Sequence, residues 1–175
     1  MKKGGGSNKG SSFEREACKE FSRWVSEGSR DDVFWRTAGS GARATNRAKK
    51  GSTTHNSEGD MCCLDPEYEW FLNRFMVEMK CGYPQWNVGE LFAGKVLKDG
   101  LWSVWNRLEV DSKAVGKLPL LVLKQDRRPI LFFTTIRFSL HFMSITSDLF
   151  ESDMVFIGPD LWTTHISYLK RVLRV

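Results

Sequence analysis

Apolar residues at helical spacing open the patterned part of the chain. Residues 1–10 are rich in Gly, Lys, Ser and Asn and read as a flexible basic N-terminus. Beyond them Phe13, Ala17, Phe21, Trp24 and Val25 recur every three or four positions, which predicts a helix opening at Ser11-Ser12 and closing around Glu27-Gly28-Ser29. Glu14, Cys18, Phe21 and Val25 form a row on the flank of its apolar face, so Glu14 points toward the core margin. A short apolar run over 33–37 predicts a first strand, closed by Gly39-Ser40-Gly41. Residues 42–58 are polar without periodicity and read as a long loop, of the kind that in a compact domain is functional or disordered. Residues 59–64 predict a second strand, turned by Asp65-Pro66.

The next segment alternates. Phe71, Asn73, Phe75, Val77 and Met79 make one side of a predicted strand almost wholly apolar. The other side begins with Leu72, Arg74 and Met76 and turns charged at Glu78 and Lys80. The interval from Asp60 to Glu78 fits two adjacent antiparallel strands and their connection. Gly82-Tyr83-Pro84 interrupts the pattern and leaves Tyr83 and Trp86 as candidates for exposure. A second helix is expected after Gly100, carrying Leu101, Trp105, Leu108 and Val115, with Gly116 and Pro119 marking its exit. Residues 119–123 and 129–134 read as strands joined by the charged turn Gln125-Asp126-Arg127-Arg128. Residues 154–157 read as another strand, and 161–175 as a closing helix or a strand plus helix. The domain reading is a core over 11–138 with a basic loop at 41–58, and a C-terminal extension over 139–175 packed on the same domain.

Composition narrows the class. At 175 residues, 41% hydrophobic and 13% aromatic, the chain can bury a single-domain core and is not a disordered polymer. No window has the length and apolarity of a membrane span. Glycines rather than an apolar signal core follow the basic start, which reads as an intracellular, cytoplasmic protein with no membrane partner. Cys18, Cys62, Cys63 and Cys81 lack paired zinc spacing, and His55, His141 and His165 are scattered. A bound metal would therefore be held by oxygen.

Charge adds candidate chemistry. Glu78 and Lys80 stand at the end of an otherwise apolar strand, where burial of either charge is costly unless it is paired or metal-bound. They read either as a hard-cation site with a lysine beside it or as a strand end emerging into water. Ser11 with Glu14 fits a capping box; alternatively Glu14 reaches the strand carboxylates. Arg15 is a surface charge or a phosphate contact. The net charge of +5 is unevenly spread: Arg36, Arg43, Arg47, Lys49 and Lys50 lie in one acid-free stretch. Such a stretch is a solvated loop or the counterweight that lets a carboxylate cluster meet a polyanion. Gly39-Ser40-Gly41 allows backbone amides close to a phosphate, as many loops do.

Four stretches in order resemble one family. Lys9-Gly10-Ser11-Ser12-Phe13-Glu14-Arg15-Glu16, then Trp35-Arg36-Thr37-Ala38-Gly39-Ser40, then Gly59-Asp60, then Val77-Glu78-Met79-Lys80 resemble the PD-(D/E)XK nucleases, most of all the archaeal-type Holliday junction resolvases and their phage-encoded relatives. Glycine stands where the name-giving proline would be, the segment over 41–58 is longer than in compact archaeal relatives, and the tail after Phe138 has no placed counterpart. The resemblance implies an α/β (α+β) fold of restriction-endonuclease-like type, an αβββαβ core with a mixed central sheet flanked by helices. It implies a homodimer making paired nicks in four-way DNA junctions. Asp60, Glu78 and Glu14 are then ligands of Mg²⁺, with Mn²⁺ a possible substitute, and Lys80 is the catalytic lysine. Arg15, Arg36 and Ser40 contact DNA or support catalysis, and Arg43, Arg47, Lys49 and Lys50 join them along the basic loop. Two alternatives stay open: a restriction-like or repair-type endonuclease of the same fold, and a non-catalytic nucleic-acid-binding domain.

Overall fold

The computed structural model describes residues 5–37, 58–63, 65–86, 100–135 and 154–158. Ser40, Arg43, Arg47, Lys49 and Lys50 lie outside them, as does the predicted closing segment over 161–175.

Helix α1 spans Gly5–Val25. It begins earlier than the sequence pattern indicates, so Ser11 lies within the helix. The capping-box reading of Ser11 and Glu14 is thereby overturned: a residue inside the helix cannot cap its first turn. The inward face is the expected one, with Phe13, Ala17, Cys18, Phe21 and Val25 buried. The exit uses left-handed backbone at Glu27 and Gly28, where the Gly28 N–H reaches the Arg23 carbonyl at 2.7 Å. Inside the helix, buried Ser22 donates to the Cys18 carbonyl at 2.7 Å and accepts from the Phe34 N–H at 2.9 Å. One hydroxyl thus pins α1 to the strand that follows.

Strand β1 (Phe34–Arg36) pairs antiparallel with β2 (Met61–Cys63), Trp35 opposite Cys62. Asp65 caps the next turn through Oδ1, which accepts from the Glu67 N–H at 3.0 Å. A 3₁₀ turn (Pro66–Tyr68) and the short helix α2 (Glu69–Arg74) then precede β3 (Phe75–Cys81). The alternation that predicts a strand from Phe71 is therefore half helix. Phe71 and Phe75 are four residues apart, a spacing that keeps two side chains on one side of a helix or a strand alike. Phe71 packs its ring 5.1 Å from Phe75 and 5.5 Å from Phe21 in the observed form. Glu69 in the first turn and Arg74 in the last also suit the dipole of α2.

This helical return changes the strand geometry. The expected antiparallel contact between the second and third strands is instead a parallel bridge, Gly59 to Val77. A hairpin reverses direction, whereas a helical crossover restores it.

Strand β3 lies parallel to β4 (Leu118–Lys124), which pairs antiparallel with β5 (Ile130–Thr135), and β5 with β6 (Met154–Gly158). The order of this mixed sheet is β3-β4-β5-β6. Helix α3 (Leu101–Ala114) supplies the crossover from β3 to β4, and Gly116 beyond it takes φ 72°.

Alternation along the strands divides the core in two. Phe75, Val77, Met79, Leu120, Val122 and Phe132 face α1, β1 and α2. Met76, Leu121, Leu123 and Phe133 face α3, where they meet Leu101, Trp105 and Leu108. Each fully buried side chain of this size contributes about 1.5–3 kcal/mol, so both faces fix the sheet firmly. Trp86 belongs to the second core and is 4% exposed. The expectation of an exposed Trp86 fails because its indole completes the α3 face, whereas Tyr83 is exposed as expected.

Candidate active site

Asp60 sits where the two sheets meet, and its backbone is held from both sides. Its N–H donates to the Val77 carbonyl of β3 at 2.8 Å, and its carbonyl accepts from the Thr37 N–H just past β1 at 3.0 Å. The side chain is buried, and Oδ2 accepts from the Met79 N–H at 2.8 Å. Gly59 makes this approach possible. It takes φ 87°, and a Cβ there would stand 2.4 Å from the Val77 carbonyl oxygen.

The Asp60 carboxyl is pushed up to about 6, first by burial and then by the neighbouring negative charge of Glu78. The Met79 N–H and the Lys80 ammonium oppose that rise without cancelling it. Two acids, one just before β2 and one on β3, are thus brought together in a site that resists holding both charges.

Glu78 and Lys80 project from the same side of β3 as Met76, at the end where the α3-facing core runs out. Both are partly buried, and Lys80 Nζ is ion-paired with Glu78 Oε1. Burial works against the Lys80 charge, but the Glu78 carboxylate, its hydrogen bond and Asp60 outweigh it, so the lysine pKa is raised. At neutral pH Lys80 is a cation that donates hydrogen bonds; it is not a base.

Glu14 is only partly exposed on α1 and is ion-paired with Arg36 of β1. Its charge reaches Asp60, where it is the smallest contribution to the raised carboxyl. Arg15, the next residue, is exposed. The structure therefore brings Asp60, Glu78 and Lys80 together, and sets Glu14 and Arg36 beside them as a second pair. Among the described residues no three His, Cys, Asp or Glu side chains group closely enough to hold a metal ion by themselves. Cys18, buried on α1, has its thiol pushed up to about 12, chiefly by burial and then by Cys62, Glu14 and Asp60. It is neither a thiolate ligand nor a nucleophile at neutral pH.

Sequence reasoning missed the main-chain groups that hold Asp60, from Thr37, Val77 and Met79. Glycine directly before the aspartate was the available signal, because it marks a close backbone approach. The donor set suits a hard cation: two carboxylates, with the buried one destabilised as an anion by its acidic neighbour. A divalent ion would relieve that repulsion.

A two-faced mixed sheet between α1 and α3, with an acid and a lysine on one strand and a second acid on the chain beside it, defines the restriction-endonuclease-like class. A model of the family described as "Phage putative PDDEXK endonuclease" matches residues 5–164, and the chain belongs to that family. No curated protein and no solved structure matches it. The protein is accordingly a nuclease, and DNA is the class of molecule on which an endonuclease acts. The match extends past Phe138 into the tail that had no placed counterpart. Among the described residues no helix is long and apolar enough to cross a membrane.

Proposed function

We propose that this protein is a metal-dependent endonuclease selective for branched DNA, a Holliday junction resolvase that makes paired nicks in four-way junctions as a homodimer. The observation that carries the catalytic part is the Asp60 carboxyl, buried, held by the Met79 N–H and raised to about 6 beside Glu78. Asp60 and Glu78 would hold Mg²⁺, or Mn²⁺ in its place, with Glu14 supporting the site from α1. Held there, the ion would supply Lewis-acid chemistry: a more acidic water near neutral pH and positive charge beside the scissile phosphate.

The protein's own groups do the rest. Lys80 keeps its proton, so it supplies a fixed positive charge and a hydrogen bond to a phosphate oxygen or to the attacking water. Glu78 holds that ammonium at the strand end until substrate arrives. Arg36 and Arg15 present cations on the Glu14 side, and Arg36 has an acid partner to leave when phosphate competes for it. Ser40, Arg43, Arg47, Lys49 and Lys50 extend the DNA contact along the acid-free stretch. Junction selectivity and the dimer rest on the resemblance to the resolvases, since a two-fold dimer matches the near two-fold symmetry of a four-way junction.

The test is cleavage of a mobile four-way junction, a flap and a linear duplex with Mg²⁺, for wild type and Asp60→Asn. Paired nicks in the junction, faster than in either control, are expected. If Asp60 contributes about 5 kcal/mol to the transition state, Asp60→Asn cuts roughly several thousandfold more slowly. An Asp60→Asn protein that cuts as well as wild type ends the assignment of the site. Equal cutting of flap and duplex by wild type ends the junction reading and leaves a repair-type endonuclease.

A further inference from the structure

Directly after β3 the chain turns through Gly82 and Tyr83, both in left-handed backbone at φ 94° and 53°. Glycine adopts that region freely, but tyrosine does not, and such strain persists only where the surroundings impose it. Here they do. Gln125, buried at the end of β4, donates through Nε2 to the Tyr83 carbonyl at 2.9 Å and the Trp86 carbonyl at 2.8 Å. Its Oε1 accepts from Arg128 at 3.1 Å. The Gly82 N–H donates to the Lys124 carbonyl at 2.9 Å, and the Trp86 N–H to the Tyr83 carbonyl at 3.0 Å.

The product of this bracing is a displayed ring. Trp86 is sunk into the core under α3, and Tyr83 stacks on it with centroids 4.0 Å apart and planes 13° from parallel. Tyr83 nevertheless stays 39% exposed. The turn thus fixes the ring at the end of β3, stacked on Trp86 and still open in part to solvent. The ring also stands three residues past Lys80, at the end of the strand that carries Glu78 and Lys80.

We propose that Tyr83, backed by Trp86, is a stacking platform for an unpaired nucleobase beside the phosphate that is cut. Stacking on an aromatic face tolerates any base, because every base has a π-face. Bases within a duplex are already stacked on both sides, whereas those at a branch point lose a stacking neighbour when the junction opens and turn out at lower cost. The platform therefore rewards branched DNA over linear duplex without reading sequence. This deepens the nuclease reading and rests on it.

The experiment measures binding in the Asp60→Asn background with Mg²⁺, so that cutting is negligible during the measurement. Tyr83→Asn removes the ring but suits left-handed backbone; Tyr83→Phe keeps the ring and removes the hydroxyl. The Asn variant should bind a four-way junction roughly tenfold more weakly, the Phe variant should match its parent, and all should bind linear duplex alike. An abasic site at the nucleotide flanking the nick should abolish the difference between ring and no ring. Equal junction affinity for the Asn variant, an equal loss on linear duplex, or an equal loss in the Phe variant would each overturn the platform. Should Tyr83→Asn melt early, Tyr83→Trp decides: its larger ring should bind the junction at least as tightly as the parent, and weaker binding sinks the idea. Failure here leaves the effect of Asp60→Asn on wild-type cleavage intact. Failure of the nuclease reading appears instead as cleavage indifferent to Asp60→Asn.

Discussion

Asp60 carries a pH signature of its own. Its folded carboxyl titrates near 6 instead of the usual 3.8, because burial and Glu78 disfavour the anion. Between those values the folded state binds the proton more tightly than the unfolded chain does. The contribution of Asp60 to the stability of the metal-free protein therefore falls as pH rises from about 4 to 6, and the loss levels off above that range. The gap corresponds to about 3 kcal/mol. Asp32 and Asp65, lowered by hydrogen bonds from Arg30, act in the opposite sense and lose stability as pH falls. The difference between wild type and Asp60→Asn isolates the site. In EDTA the Asn variant should be the more stable protein at pH 7 and the two should converge near pH 4, by denaturant melts. Adding Mg²⁺ at pH 7 should stabilise wild type and leave Asp60→Asn nearly unmoved. A wild type no more sensitive than the variant would show that Asp60 is an ordinary solvated acid.

At the scale of elements, the site depends on a join between two sheets. Gly59 bridges Val77, and Asp60 is tied to Val77 and Thr37 through its main chain. Gly59→Ala would put a methyl group 2.4 Å from the Val77 carbonyl oxygen, in a conformation that alanine resists. We expect a loss of about 1–3 kcal/mol in stability and a fall in cleavage beyond what the unfolded fraction explains, because Asp60 shifts with the bridge. Wild-type melting and wild-type cleavage in this variant would mean the join is loose. The elements also show where pattern reading is ambiguous. The amphipathic face of α1 was legible because its apolar residues fit only the helical period. Phe71 and Phe75 fit either period, so the boundary between α2 and β3 was set by packing and not by local preference.

For the whole molecule the decisive partner is a polyanion. Neutralising Arg43, Arg47, Lys49 and Lys50 should weaken DNA binding and flatten its dependence on the logarithm of salt by roughly 0.9 for each phosphate that the protein no longer neutralises. An unchanged slope would make that stretch a solvated loop. A two-fold enzyme should also sediment as a dimer on a four-way junction; monomer alone, with and without DNA, would remove the paired-nick mechanism. These two measurements separate how the molecule holds DNA from how it is counted on it.

Sequence by itself determined the inward face of α1, the strand pairs around β4 and β5, and the charged end of β3, since periodicity and turn residues act over a few neighbours. It also supplied the residue types of a hydrolytic site. Only the tertiary structure decided that α2 replaces part of a strand, that the Gly59 contact with β3 is parallel, and that Trp86 is core while Tyr83 is surface. It decided too that Asp60 meets Glu78 and Lys80, whereas Glu14 pairs with Arg36. Each of these depends on residues distant in the chain competing for the same space or charge, and no local pattern records the outcome of that competition.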